Sequence, residues 1–320
     1  MVLLSQGRQI SYLRLSITDK CNLRCRYCMP EEGIAGTAHA SLLRVEEIFR
    51  VLKVFRELGI DKLRITGGEP TVSKMFFPLL ENIKPLAFRD ISVTTNGILL
   101  EKIADQFPKY NVNRVNISLD TLNPERFAYI TRGGDLEKTL RGIDASLKAG
   151  LSPVKINTVA VMGFNDDEFV DIALLSKNRP LNIRFIELMP IGTNGFWTEN
   201  NFIDSRQIMD ILTPLGKLTP AKLYGAGPAN VFRIEGFKGT VGFISAISNH
   251  FCADCNRLRF TSDGKLYPCL HHQEYYDFFT LLRGGAADEE IKALILKAVT
   301  EKPLKHAFGT QTRNMGTIGG

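Results

Sequence analysis

Tyr12-Leu-Arg-Leu-Ser-Ile-Thr-Asp-Lys-Cys21-Asn-Leu-Arg-Cys25-Arg-Tyr-Cys28-Met-Pro30 is the stretch on which the reading of this chain turns. Its first part, Tyr12 to Thr18, alternates apolar and polar residues as a strand does. The rest separates its cysteines by three and then two residues, close enough for one loop to wrap a single metal cluster. A cubane 4Fe-4S cluster has four irons, so three thiolates leave one iron open to bind and reduce a small molecule. A structural zinc loop would need a fourth ligand, and the only nearby candidate is His39, eleven residues past Cys28.

Outward from this loop the pattern repeats. Arg44 to Leu58 has helical spacing and stops at Gly59, and a strand-like run follows at Lys62 to Thr66. Further strand-like runs lie at Asp90–Thr94, Arg114–Ser118, Lys155–Val161 and Asn182–Glu187, with helical candidates around Phe76, Ile103, Leu140 and Val170 between them. Alternation of this kind predicts right-handed βαβ units and a mostly parallel sheet. Six units fall short of a closed eight-fold barrel. The expected fold is therefore α/β, an open, incomplete (β/α)6 TIM-like barrel with its ligands and motifs at the carboxyl ends of the strands. Past about Gly216 the texture becomes glycine-rich, with short β-like runs such as Val241–Ile247 and a helical segment at Asp288–Val299. This predicts a core at 6–216 and a small C-terminal module at 217–320.

Composition bounds the function classes. The chain has 320 residues, 44% hydrophobic and 23% charged, which excludes disorder. It has no apolar run of about 18 residues, and Met1 to Arg8 lacks the layout of a secretion signal, so a cytoplasmic location is expected. The net charge of +6 is scattered, which suits an anionic small molecule better than a nucleic-acid-binding tail. All six cysteines fall into two groups of three, and in a reducing compartment such groups read as metal ligands.

The second group is Cys252-Ala-Asp-Cys255 with Cys269. A zinc ribbon completed by His250, His271 or His272 is one reading; the lack of a fourth cysteine favours another cluster with an open iron. Arg257 and Arg259, two residues apart, fall on one side of a strand beside that metal. Their charge calls for an anionic substrate that can also offer a ring nitrogen or oxygen, and a purine nucleotide meets both demands. Lys155 with Asn157, and Asn182 with Arg184, likewise make one face of each strand polar, and Arg14 and Arg64 add to the basic count. Strands buried beneath helices are normally apolar on both faces, so this polar face predicts a wet lumen.

The first cysteine loop, followed by Met29-Pro30, is identified as the defining motif of the radical S-adenosylmethionine (SAM) superfamily. Residues 18–30, 130–135 (IleThrArgGlyGlyAsp), 154–159 and 251–259, with the terminal Gly319-Gly320, resemble the GTP 3′,8-cyclase family over nearly the whole chain. Met162 departs from that pattern, since a basic residue is expected there.

This resemblance implies a lyase with two 4Fe-4S clusters. SAM chelates the open iron held by Cys21, Cys25 and Cys28 and is cleaved to a 5′-deoxyadenosyl radical. That radical takes hydrogen from the 3′ carbon of GTP, whose ribose then attacks carbon 8 of guanine. The cluster on Cys252, Cys255 and Cys269 holds the base. The resemblance further assigns Tyr27, Gly68, Glu69, Ser118 and Met189 to SAM, and Arg14, Arg64, Thr95, Lys155 and Arg257-Leu258-Arg259 to GTP. Thr94 remains an alternative to Thr95. Gly319 and Gly320 are expected to reach into the active site. The implied partners are GTP, a low-potential electron donor and a downstream pterin-forming enzyme, with a homodimer left open and neither nucleic acid nor membrane. The alternative function is a radical SAM peptide- or protein-modifying maturase with an auxiliary cluster.

Overall fold

The structure, a computed structural model, describes residues 3–34, 36–191, 196–223, 227–305 and 315–319. A hairpin of β1 (Leu3–Ser5) and β2 (Arg8–Ile10) comes first, turned by Gln6 and Gly7 at φ 49° and 80°. All six expected strands then form: β3 (Tyr12–Ser16), β4 (Lys62–Thr66), β5 (Asp90–Thr95), β6 (Val112–Ser118), β7 (Val154–Ala160) and β8 (Leu181–Glu187). Each pairs in parallel with its successor.

Helices α1 (Val45–Glu57), α2 (Phe76–Ile83), α3 (Leu100–Ile103), α4 (Pro124–Thr131), α5 (Leu136–Lys148) and α6 (Phe169–Leu174) fill the crossovers. In α1, Ile48, Val51, Leu52 and Phe55 recur at helical spacing and are fully buried, and the chain leaves the helix through Gly59 at φ 97°. Asn123 caps α4 through the Glu125 and Arg126 N–H groups, with Pro124 at the first helical position.

The chain beyond residue 216 continues the same sheet. It adds β9 (Leu218–Pro220), β10 (Asn230–Ile234), β11 (Thr240–Ile244), β12 (Arg257–Phe260), β13 (Lys265–Tyr267) and β14 (Tyr276–Asp277), with α7 (Ser205–Ile211), α8 (Phe278–Arg283), α9 (Asp288–Thr300) and α10 (Met315–Ile318). β11 lies parallel to β8 and β12 parallel to β3, so both edges of the six-stranded core are covered within one sheet of 12 strands.

Along each core strand the residues alternate between two environments. Leu13, Leu15, Leu63, Ile65, Val93, Val115, Ile117, Ile156, Ile183 and Phe185 belong to the buried apolar core. The alternate positions are buried yet polar: Arg14, Arg64, Ser92, Arg114, Asn116, Lys155, Asn182 and Arg184. The polar lumen read from the sequence is therefore present. At its floor Arg114 forms a buried two-pronged ion pair with Asp90. Among the described residues no helix is long and apolar enough to cross a membrane.

Candidate active site

Cys21, Cys25 and Cys28 lie just beyond the carboxyl end of β3, in a loop braced from two sides. The Gly68 and Glu69 N–H groups donate to the Thr18 and Lys20 carbonyls at 2.7 and 2.8 Å. A Cβ on Gly68 would come within 2.4 Å of the Lys20 carbonyl oxygen, so this approach needs glycine. From the other side the Arg24 and Arg26 N–H groups donate to the Thr131 and Ile130 carbonyls at the end of α4. Arg132 then donates to the carbonyls of Arg24 (2.8 Å) and Met29 (3.0 Å). The 130–135 stretch thus buttresses the loop, a role its residue types alone did not reveal.

The second trio departs from the expected placement at the carboxyl ends of the strands. Arg257 pairs with Tyr12 and Phe260 with Leu15, so β12 runs alongside β3 in the same direction. Cys252 and Cys255 precede β12, and Cys269 follows the antiparallel β13, which returns to the same end. All three thiols therefore sit at the amino ends of β3 and β12. The two trios are separated by one strand, which for the five residues of β3 is roughly 15 Å at about 3.3 Å per residue.

Both trios line one open cavity. All six cysteines are free thiols, and among the described residues no three His, Cys, Asp or Glu side chains are grouped tightly enough for a single metal ion. The two trios stand in different surroundings. Burial pushes the Cys28 thiol up to about 12 and also raises Cys25, where Cys28 and Asp120 add to the effect. Burial raises Cys255 as well, but the Arg257 and Lys302 charges outweigh it and bring that thiol down to about 6. The Leu23 N–H donates to Cys21 Sγ at 3.4 Å. Buried thiols on tight turns, some with N–H donors, fit cluster ligation, in which the metal removes the proton.

Between the trios the wall is cationic. Arg14, Arg64, Arg184, Arg257 and Arg259 line it, and the lining carboxylates, Glu69 and Asp120, lie on the side of the first trio. Burial and neighbouring guanidiniums hold Arg14 well below the usual arginine range, Arg184 at about 9 and Arg259 at about 10. Lys155, beneath the wall, is brought down to about 5 by burial and by Arg184, Arg114 and Arg64. An anion there would relieve that crowding. Three polar atoms of lining residues have no hydrogen-bond partner among the described residues: Tyr12 Oη, Thr94 Oγ1 and Asn157 Oδ1. Buried polar groups left in this way call for a polar ligand.

Of the residues the sequence singled out, Tyr27, Gly68, Glu69, Ser118, Met189, Arg14, Arg64, Thr95, Arg257 and Arg259 line this cavity with the six cysteines. Lys155 and Leu258 do not; Leu258 is packed in the apolar core. Glu69 Oε1 accepts from Thr71 and Thr95, and Oε2 accepts from the Asn96 N–H at 2.7 Å, so its carboxylate already ties the turn after β4 to the end of β5. The Tyr27 hydroxyl donates to Asp120 Oδ2 at 2.7 Å. Gly319 enters the lumen, where its carbonyl accepts from Arg14 at 3.2 Å and Arg259 at 2.6 Å. A Cβ there would meet Thr66 Cγ2 at 2.4 Å. Gly320 lies outside the described residues, as does the His39 side chain. Arg184 was visible in the sequence as a polar-face residue without a stated role. Lys302 carried no signal.

A profile of the Radical SAM superfamily matches residues 15–175, and one described as Molybdenum Cofactor Synthesis C matches residues 181–308. The GTP 3′,8-cyclase of Pelotomaculum thermopropionicum is 47% identical over 319 residues, and that of Desulforamulus reducens 48% over 320, each match covering 98% of both chains. Among solved structures, Streptococcus suis SuiB superimposes with a TM-score of 0.62 over 93% of this chain and 68% of its own, at 15% identity. The FeFe-hydrogenase maturase HydG from Carboxydothermus hydrogenoformans gives 0.50 over 66% and 53%, at 19% identity. At such identities the likeness concerns the fold alone.

Proposed function

The chain belongs to the GTP 3′,8-cyclase family of radical SAM enzymes, and from that membership we propose how its own residues share the work. The reaction is the cyclisation of GTP to (8S)-3′,8-cyclo-7,8-dihydroguanosine 5′-triphosphate, the first step of molybdenum-cofactor biosynthesis. Its cofactors are SAM and two 4Fe-4S clusters, which when bound supply the one-electron chemistry. The maturase alternative is the weaker reading, because the curated relatives that match 98% of this chain are GTP 3′,8-cyclases.

The observation that carries the division of labour is the cationic wall between the two thiol trios. Arg14, Arg64, Arg184, Arg257 and Arg259 hold the triphosphate, with Lys155 beneath them. Cys252, Cys255 and Cys269 carry the cluster that meets the base, and Cys21, Cys25 and Cys28 the one that meets SAM. Tyr27, fixed by Asp120, lies against the adenine, and Gly68, Ser118 and Met189 complete the SAM side. Glu69 acts through the Thr95–Asn96 turn, while Thr94 offers its hydroxyl to the ligand. Gly319 orients Arg14 and Arg259 and narrows the lumen, so the reacting groups meet in fixed geometry away from water. We assign residues 6–216 to the radical SAM core, which also supplies Arg14, Arg64 and Arg184 to the triphosphate, and 217–320 to the module that carries the second cluster. We further propose a cytoplasmic enzyme that passes its product to a pterin-forming enzyme.

Anaerobic reconstitution with SAM, dithionite and GTP tests this reading. The wild type should hold about eight irons per chain and form the cyclised nucleotide. Cys252→Ala should hold about four and still cleave SAM without cyclising GTP. Cyclisation at the wild-type rate by that variant would refute the assignment of the second trio.

A further inference from the structure

The loop of the second trio is held by a lysine that no sequence motif marks. Lys302 follows α9 by two residues and is 1% exposed. Its Nζ donates to the Arg257 carbonyl at 3.0 Å and to the Pro268 carbonyl at 2.5 Å. The first carbonyl lies two residues past Cys255 and the second one residue before Cys269, so a single ammonium ties together the two segments that carry those thiols. Arg8 extends the tie by donating to the Lys302 carbonyl (3.1 Å), the Pro303 carbonyl (3.0 Å) and the Cys252 carbonyl (3.2 Å). The segments that carry the three cysteines are thus held by two cations.

Among the described residues no carboxylate forms a salt bridge with Lys302, and its deeply buried ammonium is held by carbonyl oxygens instead. A cluster on three thiolates gains negative charge when reduced, and a fixed cation at close range stabilises the more negative state. The first trio has mixed surroundings: Asp120 acts on Cys25 and Glu69 on Cys21, with Arg24 opposing Glu69.

We propose that Lys302 is a positioning residue for the second cluster, joining the segments that carry its thiols and biasing it toward the reduced form, so that the two clusters differ in potential. The proposal rests on the reading that Cys252, Cys255 and Cys269 hold a cluster. The iron content of the wild type tests that reading by itself: about four irons would sink the reading, whatever Lys302 does.

The test uses the full-length reconstituted enzyme as wild type, Lys302→Arg and Lys302→Gln. Each is titrated with reductant while the electron paramagnetic resonance signals of the two clusters are followed, the second being recognised by its response to GTP. Lys302→Gln keeps a hydrogen-bond donor and removes the charge. Its second cluster should be harder to reduce by about tenfold or more in equilibrium constant, about 59 mV for one electron, with the first cluster unmoved. Lys302→Arg should stay near wild type. Loss of about four irons in the glutamine variant alone supports the proposal equally, since charge is then what retains the thiolates. Full iron content with an unchanged potential in Lys302→Gln overturns it, as does loss of the cluster in both variants, which would reduce Lys302 to a packing role.

Discussion

Lys155 stands on β7 with its ammonium held down to about 5 by burial and by the neighbouring Arg184, Arg114 and Arg64. It is therefore neutral at pH 7 without ligand, and an arriving triphosphate should restore its proton. GTP binding is expected to take up close to one proton at pH 7, read by calorimetry in buffers of different ionisation enthalpy, and Lys155→Met should abolish that uptake. The sign for stability follows from the same shift. Between about pH 5 and 10.5 the unfolded chain carries the extra proton, so this group lowers stability increasingly as pH falls through that window. Thr94 and Thr95 give a second contrast. The Thr95 hydroxyl donates to Glu69 and accepts from the Gly97 N–H, whereas Thr94 Oγ1 has no partner among the described residues. Thr94→Val should weaken ligand binding about tenfold with stability unchanged, while Thr95→Val should cost about 1–3 kcal/mol of stability by exposing the need of a buried carboxylate. Equilibrium binding and denaturant unfolding of both variants check this. The sequence placed both threonines at the end of a strand but could not rank them, because the choice depends on where Glu69, 26 residues earlier, meets the strand.

β3 to β8 could be read from the chain because alternation and helical spacing are local patterns. The strand order and the polar lumen followed from the same patterns. What the patterns could not carry was the partner of β12: nothing in Arg257 to Phe260 says that it runs beside β3, and that pairing decides at which end of the lumen the second trio lies. The support of the first loop was equally hidden, since it joins residues 24–29 to residues 130–132 through backbone groups and one guanidinium. The turn after β4 was marked only through Gly68, which the resemblance assigned to SAM, although its tight contact is with the cysteine loop itself. Gly68→Ala forces a methyl group against the Lys20 carbonyl. It is expected to cost about 1–3 kcal/mol and to lower the iron content toward about four per chain while the second cluster remains. Iron analysis beside thermal unfolding gives the answer; full loading with unchanged stability would show that the turn can move away.

The continuous sheet bears on how the chain can be divided. β3 and β8 are the outermost strands of the six-stranded core, and both are covered by strands from beyond residue 216. A fragment ending at residue 216 would leave two flat edges with unpaired N–H and C=O groups, the usual template for aggregation. Such a fragment is expected to be insoluble or to lack a cooperative unfolding transition, measured by sedimentation and circular dichroism; a soluble, cooperatively folding fragment would contradict this. The placement of the trios at opposite ends of β3 and β12 has one more consequence. Because a hydrogen-bonded ladder fixes their separation, no hinge can bring the two metal stations nearer or take them further apart. The barrel is a gauge of set length, and a nucleotide has to fit it end to end, so molecules of suitable charge but the wrong reach are turned away by dimension alone.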